Sequence, residues 1–187
     1  MKTAIVTYGR FNPVTKGHMK MFTKMHSLKV KEGGDLYVFP SRQEKNSTNP
    51  LSFHDKKGLL KRVLPGFIIF DNIKVRTPYD AMQYLSNKGY KKVIFVVGED
   101  RVYMAKNIEM YINHPDPEKS FLFEEYAVVN AGKRKPESNG IIGISGSKVR
   151  QFAFDNEYEK FRKDFVDMPD EFVKQYFKKI KTAMAKE

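Results

Sequence analysis

Short apolar runs alternate with helix-period runs along this chain. Lys2 to Thr7 is apolar and β-branched and is closed by Gly9, a pattern that predicts a buried strand. From His18 to Leu28, the residues Met19, Phe22, Met25, His26 and Leu28 fall at a largely helical spacing. "DLYVFP" (35–40) predicts a second strand. "LSFHDKKGLLKRVL" (51–64) predicts a helix with Ser52 as its cap and Leu59, Leu60 and Val63 on its apolar side. "GFIIFDNIKV" (66–75) reads as a third strand region. "TPYDAMQYLSNKGY" (77–90) reads as a helix, with Pro78 suited to its first turn and Gly89 to its stop.

The second half continues the alternation. Val93 to Val97 is an unbroken apolar run ending at Gly98, the plainest strand in the sequence. A helix is expected from there through Met110, and a fifth strand in "FLFEEYAVVN" (121–130). "SGSKVRQFAF" (145–154) opens a further helix. Pro169 and the acidic pair Asp170 and Glu171 begin a last one, striped by Phe172, Val173, Tyr176, Phe177 and Ile180 against Lys174, Lys178, Lys179 and Lys181. That stripe is broad enough to predict packing on the domain or on a second subunit. Alternating strands and helices predict an α/β fold: a Rossmann-like three-layer sandwich, its parallel sheet of about five strands covered on both faces, with a C-terminal helical extension. Two polar loops, 41–50 and 131–140, each follow the end of a predicted strand, the edge where open α/β sheets bind ligands.

Composition narrows the chemistry. Hydrophobic residues make up 41% of the 187, with 15 Phe and 10 Tyr, enough for one proper core. There is no cysteine, which excludes disulfides, thiolate metal sites and a Cys nucleophile and agrees with a cytoplasmic protein. No apolar run nears the ~20 residues of a membrane helix, and no leader is expected, because "AIV" passes straight into a Gly-rich turn. Lys and Arg outnumber Asp and Glu by 34 to 22, a net charge of +12 that favours anionic partners or forms a solvated coat.

The turn itself is "GRFNPVTKGH" (9–18). Gly9 closes a strand and Gly17 with His18 begins a helix, so free backbone N–H groups and a helix dipole meet at one place. Phosphate is the natural occupant of such a turn. Arg10 offers two donors to an anion. Thr15 and His18, three apart, face one side. A strand-to-helix turn of this composition also occurs with no ligand at all. "GISGSKVR" (143–150) is a second such turn, in which Ser145 and Ser147 can cap a helix or donate to phosphate, and Lys148 and Arg150 can neutralise charge. Taken alone, it reads as an ordinary cap with surface cations before it reads as a binding turn.

Together the two turns resemble a known pair. "GRFNPVTKGH" is similar to the Gly-X-Phe-X-Pro-X-(His/Thr)-X-Gly-His signature of the nucleotidyltransferase superfamily, and "ISGSKVR" to its Ile-Ser-X-(Thr/Ser)-X-X-Arg signature. The intervening "VVGEDR" (96–101) resembles the family's Gly-X-Asp strand end. The likeness is greatest to small phage-type adenylyl- or cytidylyltransferase-like members, with features of nicotinamide-mononucleotide and phosphopantetheine adenylyltransferases. Thr15 stands where many members carry His, a choice shared with the phosphopantetheine group. The resemblance covers 1–155 and implies a nucleotidyltransferase domain there, with 156–187 packed on it as a helical extension.

The resemblance implies transfer of AMP or CMP from ATP or CTP to a phosphorylated small-molecule acceptor, nicotinamide mononucleotide first among candidates, with release of pyrophosphate. It implies catalytic roles for His18, Thr15, Arg150 and Ser147. Nucleotide binding falls to Gly9, Arg10, Phe11, Gly17, Gly98, Asp100, Arg101, Ser145 and Lys148. Arg42 and Lys45 are the acceptor candidates. Mg²⁺ is expected to ride on the triphosphate, because no carboxylate cluster offers a cage and no resident metal site is expected. Lys133, Arg134 and Lys135 read as solvent-facing, and His26, His54 and His114 as structural or surface residues. A phage source would place the protein in the host cytoplasm. A different class of function stays open: a non-catalytic nucleotide- or nucleic-acid-binding or assembly protein on the same fold, its charge serving the partner. Nucleic acid is then a secondary partner, and a homo-oligomer is compatible with the sequence.

Overall fold

A computed structural model describes residues 1–44, 46–132 and 144–186. Five strands form one sheet: β1 (Thr3–Gly9), β2 (Asp35–Pro40), β3 (Ile68–Ile69), β4 (Lys92–Val97) and β5 (Glu125–Asn130). Their order is β3-β2-β1-β4-β5, and the sheet is all-parallel. Register is set by apolar partners, such as Ile5 beside Ile94 and Val96 beside Val129. Seven helices accompany them among the described residues: α1 (Lys16–Glu32), α2 (Phe53–Val63), α3 (Pro78–Asn87), α4 (Val102–Asn107), α5 (Gly146–Phe154), α6 (Tyr158–Asp164) and α7 (Asp170–Met184). The chain is an α/β protein with a Rossmann-like sheet flanked by helices, as its alternating pattern predicts.

By contacts the chain divides into two compact units. The first holds the sheet, the body of α1, α3 and α4, built from residues 1–9, 21–39 and 66–133. Period-two alternation sends Ala4 and Val6 to one face, where they meet Val93, Phe95, Ala81, Met82, Leu85 and Ala105. The other face is met by α1, where the Thr7 hydroxyl donates to Met21 Sδ at 3.3 Å. Strand order reverses direction between β1 and β4, so the carboxyl ends of these two strands form the switch point where ligands of open α/β sheets sit. Gly9 and Gly98 are at those ends.

Caps confirm several boundaries. Ser52 accepts the Asp55 N–H at the start of α2. Thr77 and Asp80 make a reciprocal capping box at α3, with Pro78 in its first turn and Gly89 beyond its end at φ +75°. Three expectations shrink. The 66–75 region pairs only at Ile68–Ile69, because Asn72 folds the chain: its Oδ1 accepts the Lys74 N–H and its carbonyl the Val75 N–H. The 121–130 run is a strand only from Glu125; Phe121 and Phe123 are buried as side chains instead. The helix expected through Met110 is α4 between two single 3₁₀ turns.

The second unit holds residues 10–20, 40–65 and 134–187. Phe161 stacks on Phe165 at 4.9 Å, and Phe177 sets its edge on Phe161 and Tyr158, both at 5.1 Å. Val173 and Ile180 of α7 are buried, so the apolar stripe packs within the chain, α7 and α6 both lying against α5. Lys133, Arg134 and Lys135 lie outside the described residues, as does most of the 131–140 loop.

Gly34 joins α1 to β2 at φ +96°, and a Cβ there would stand 2.4 Å from the Thr3 carbonyl oxygen. Gly34→Ala is expected to lower stability by about 2–3 kcal/mol in a denaturant titration, from strain plus collision. Gly66→Ala, also at positive φ but facing open space, is expected to cost only about 1 kcal/mol.

Candidate active site

The turn after β1 is buried rather than open. Phe11, Asn12, Pro13, Val14, Thr15 and His18 all lie below the surface, while Arg10 is exposed. Phe11 takes φ +44° and sets its ring edge-on to the His18 imidazole, centroids 5.3 Å apart. Thr15 immediately precedes α1 and pairs with Phe165 through a single antiparallel bridge. Its backbone N–H donates to His18 Nδ1 at 3.0 Å, and its hydroxyl oxygen lies 3.0 Å from the same nitrogen. An amide N–H can only donate, so Nδ1 is the acceptor and the neutral ring carries its proton on Nε2. The Thr15 pairing therefore fixes both the orientation and the tautomer of His18.

The second turn meets the first. Gly17 packs so closely on the segment before α5 that a Cβ would stand 2.2 Å from the Ile144 carbonyl oxygen. Gly146 faces the Pro13 and Asn12 carbonyls at 3.6 and 3.8 Å from its would-be Cβ. Arg150, 7% exposed, donates from Nη1 to the Asn12 carbonyl at 2.8 Å and from Nη2 to Ser147 Oγ at 3.0 Å. Sequence separation between Arg150 and Asn12 is 138 residues. Ser145 caps α5 by accepting the Lys148 N–H. Ser147 and Lys148 are exposed beside it, with Lys148 Nζ 5.9 Å from the Phe152 ring.

The electrostatics are one-sided. Burial, with the like charge of Arg10 beside it, holds the Arg150 guanidinium down to about 10, still protonated at neutral pH. Neither Arg10 nor Arg150 has a carboxylate partner among the described residues. The like charges of Arg10 and Arg150 act on each other, and the Ser147 hydroxyl stands beside Arg150. No group of three or more His, Asp or Glu side chains stands together among the described residues.

The other expected residues belong to other elements of the chain. Gly98, Asp100 and Arg101 belong to the sheet unit, at the carboxyl end of β4, where Asp100 and Arg101 pair at 3.5 Å. Tyr8, at the neighbouring end of β1, donates its hydroxyl to the Arg76 carbonyl and has its pKa raised by burial and by Asp80. Arg42 lies in the loop after β2, its guanidinium 3.5 Å from the centre of the Phe53 ring. Lys45 lies outside the described residues. His26 sets its edge on Phe67, His54 is exposed, and His114 Nδ1 accepts the Asp116 N–H.

Two residues carry more than the sequence assigns them. Asn12 spans both sides of Leu51: its amide N–H₂ donates to the Leu51 carbonyl at 3.0 Å and its Oδ1 accepts the Leu51 N–H at 2.8 Å. Lys56 is fully buried in α2, donating to the Ser41 and Gln43 carbonyls. Burial above all lowers its pKa to about 8, against the pull of Glu44 and with help from Arg42. Its spacing from Leu59, Leu60 and Val63 was the available signal, since it shares their stripe.

The cytidylyltransferase-like family matches residues 6–152. The chain belongs to that family and is a nucleotidyltransferase. Comparison with curated proteins finds no match. Among solved structures, nicotinic acid mononucleotide adenylyltransferase of Plasmodium falciparum, complexed with APC, superposes with a TM-score of 0.62 at 17% identity over 98% of each chain. A putative nicotinate-nucleotide adenylyltransferase of Vibrio parahaemolyticus gives 0.60 at 14% identity, over 92% of this chain and 99% of that one. TmcAL of Thermotoga maritima, bound with alpha-thio ATP, gives 0.57 at 13% identity over 96% and 55%. At such identities the likeness is one of fold. No helix among the described residues is long and apolar enough to cross a membrane.

Asn12→Ala leaves two buried polar groups of Leu51 without partners. We expect a loss of about 2–4 kcal/mol by chemical denaturation. Asn12→Asp, which keeps only the acceptor, should fall between Asn12→Ala and the wild type.

Proposed function

We propose that this nucleotidyltransferase moves AMP from ATP onto the phosphate of a pyridine mononucleotide, nicotinamide mononucleotide first and its nicotinic acid counterpart second. The observation that carries the reading is the meeting of the two turns, sealed by the Arg150 to Asn12 hydrogen bond beside His18. The adenylyltransferase neighbours support the choice of base and acceptor class. An acceptor phosphate oxygen attacks the α-phosphorus. The new P–O bond forms as the bond to the β-phosphate oxygen breaks, and pyrophosphate leaves. The attacking phosphate is already an anion, so the chain supplies position and charge rather than a base.

On this reading His18 donates from Nε2 to an α-phosphate oxygen as charge builds there. Thr15 holds the ring for that task. Arg150, Ser147, Ser145 and Lys148 receive the β- and γ-phosphates, with Arg10 and the N–H groups from Gly9 to Phe11 around them. Gly17 gives the backbone its close approach. Gly98, Asp100 and Arg101 are assigned to the ribose and base, and Arg42 and Lys45 to the acceptor phosphate. Mg²⁺ chelated by the triphosphate supplies neutralising charge.

Pyrophosphate release should be measured with ATP and CTP against nicotinamide mononucleotide, nicotinic acid mononucleotide, phosphopantetheine and glycerol phosphate. Turnover is expected with ATP and a pyridine mononucleotide. Turnover only with CTP would overturn the base, and none with any pair would favour a binding protein on this fold. His18→Ala is expected to slow the reaction about 10²–10³-fold with folding retained. An unchanged rate would remove His18 from the mechanism.

A further inference from the structure

The segment that follows β2 is folded down onto the start of α2 by alternate contacts. The carbonyls of Ser41 and Gln43 turn inward and accept from Lys56 Nζ, the second at 3.0 Å. The side chains between and after them engage Phe53: Arg42 lies over its ring at 3.5 Å, and Glu44 accepts its backbone N–H. Lys56 is 0% exposed and shares the stripe of Leu59 and Leu60, where an aliphatic side chain would pack without the cost of burying an ammonium. A buried cation at such a position is explained by what it holds. The two carbonyls it ties have no ladder partner, since β2 has ended at Pro40.

The Arg42 guanidinium carbon lies 3.5 Å from the centre of the Phe53 ring, a cation–π contact that limits where its charged head can go. Its direction is then set by the backbone that carries it. We propose that Lys56 is a positioning residue for acceptor recognition: it locks the backbone of residues 41–43 and so holds the Arg42 guanidinium over Phe53, the place from which Arg42 meets the acceptor phosphate. This rests on the assignment of Arg42 to the acceptor made under the proposed function. The lysine touches neither substrate; it acts through Arg42.

The test compares Lys56→Met, Lys56→Arg, Arg42→Ala and the Lys56→Met/Arg42→Ala double variant of the full chain, by steady-state kinetics with ATP and the accepted mononucleotide. Lys56→Met is expected to raise the acceptor KM about tenfold, the scale of one charge-assisted hydrogen bond, with the ATP KM moving less than about twofold. Lys56→Arg, which retains donors, should recover part of the loss. In the Arg42→Ala background, Lys56→Met should add nothing to the acceptor KM. Equal changes in both KM values, or additive losses in the double variant, would overturn the proposal. A second readout needs no turnover: the Arg42 side-chain proton resonances, shielded by the Phe53 ring, should shift toward free-arginine values in Lys56→Met. An unshifted Arg42 overturns the positioning role even where the enzyme reading stands, whereas a shifted Arg42 with no reacting substrate pair upholds the hold on Arg42 and overturns its acceptor role. If Lys56→Met does not fold, Phe53→Leu decides: a raised acceptor KM supports the clamp, a normal one refutes it.

Discussion

One buried cation ties together the two signature turns of this protein. Arg150 reaches across 138 residues of sequence to the carbonyl of Asn12, and it does so with no carboxylate among the described residues to balance it. A guanidinium withdrawn from water in this way costs several kcal/mol unless its donors are met. Here a main-chain carbonyl and the Ser147 hydroxyl meet two of them. Arg10 adds a like charge that, after burial, lowers the Arg150 pKa further. The Arg150 to Asn12 contact ties the first turn to the second.

The rest of the unit reads as support for that contact. Gly17 can lie against Ile144 because it lacks a Cβ, which brings the start of α1 to the start of α5. Thr15 holds the imidazole by Nδ1, leaving the proton on the other nitrogen. Asn12 faces two ways, its carbonyl taken by Arg150 and its side chain clasping Leu51 just ahead of α2. The polar groups are therefore set before any substrate arrives, the condition under which charge stabilisation costs no reorganisation.

Much of this was legible in the chain. β1, β2 and β4 stand where short apolar runs predict them, and α2, α3 and α7 begin at Ser52, Thr77 and Pro169, whose side chains or fixed φ mark helix starts. The two signature turns were legible as local patterns, which is what brought His18 and Arg150 forward. Contacts that join distant segments were not. Nothing in "NPV" says that Asn12 pairs with residue 51, and a lysine among "HDKKG" reads as surface until its stripe is counted. The strand readings ran long at 66–75 and 121–130 because apolar content marks burial, whereas a strand also needs a neighbour whose carbonyls and amides are free to pair.

The most direct test of the central claim is a crystal structure with a non-hydrolysable ATP analogue. The account predicts one triphosphate contacted at once by His18 from the first turn and by Arg150 or Ser147 from the second. Phosphates held by one turn alone, or a nucleotide seated away from both, would contradict it.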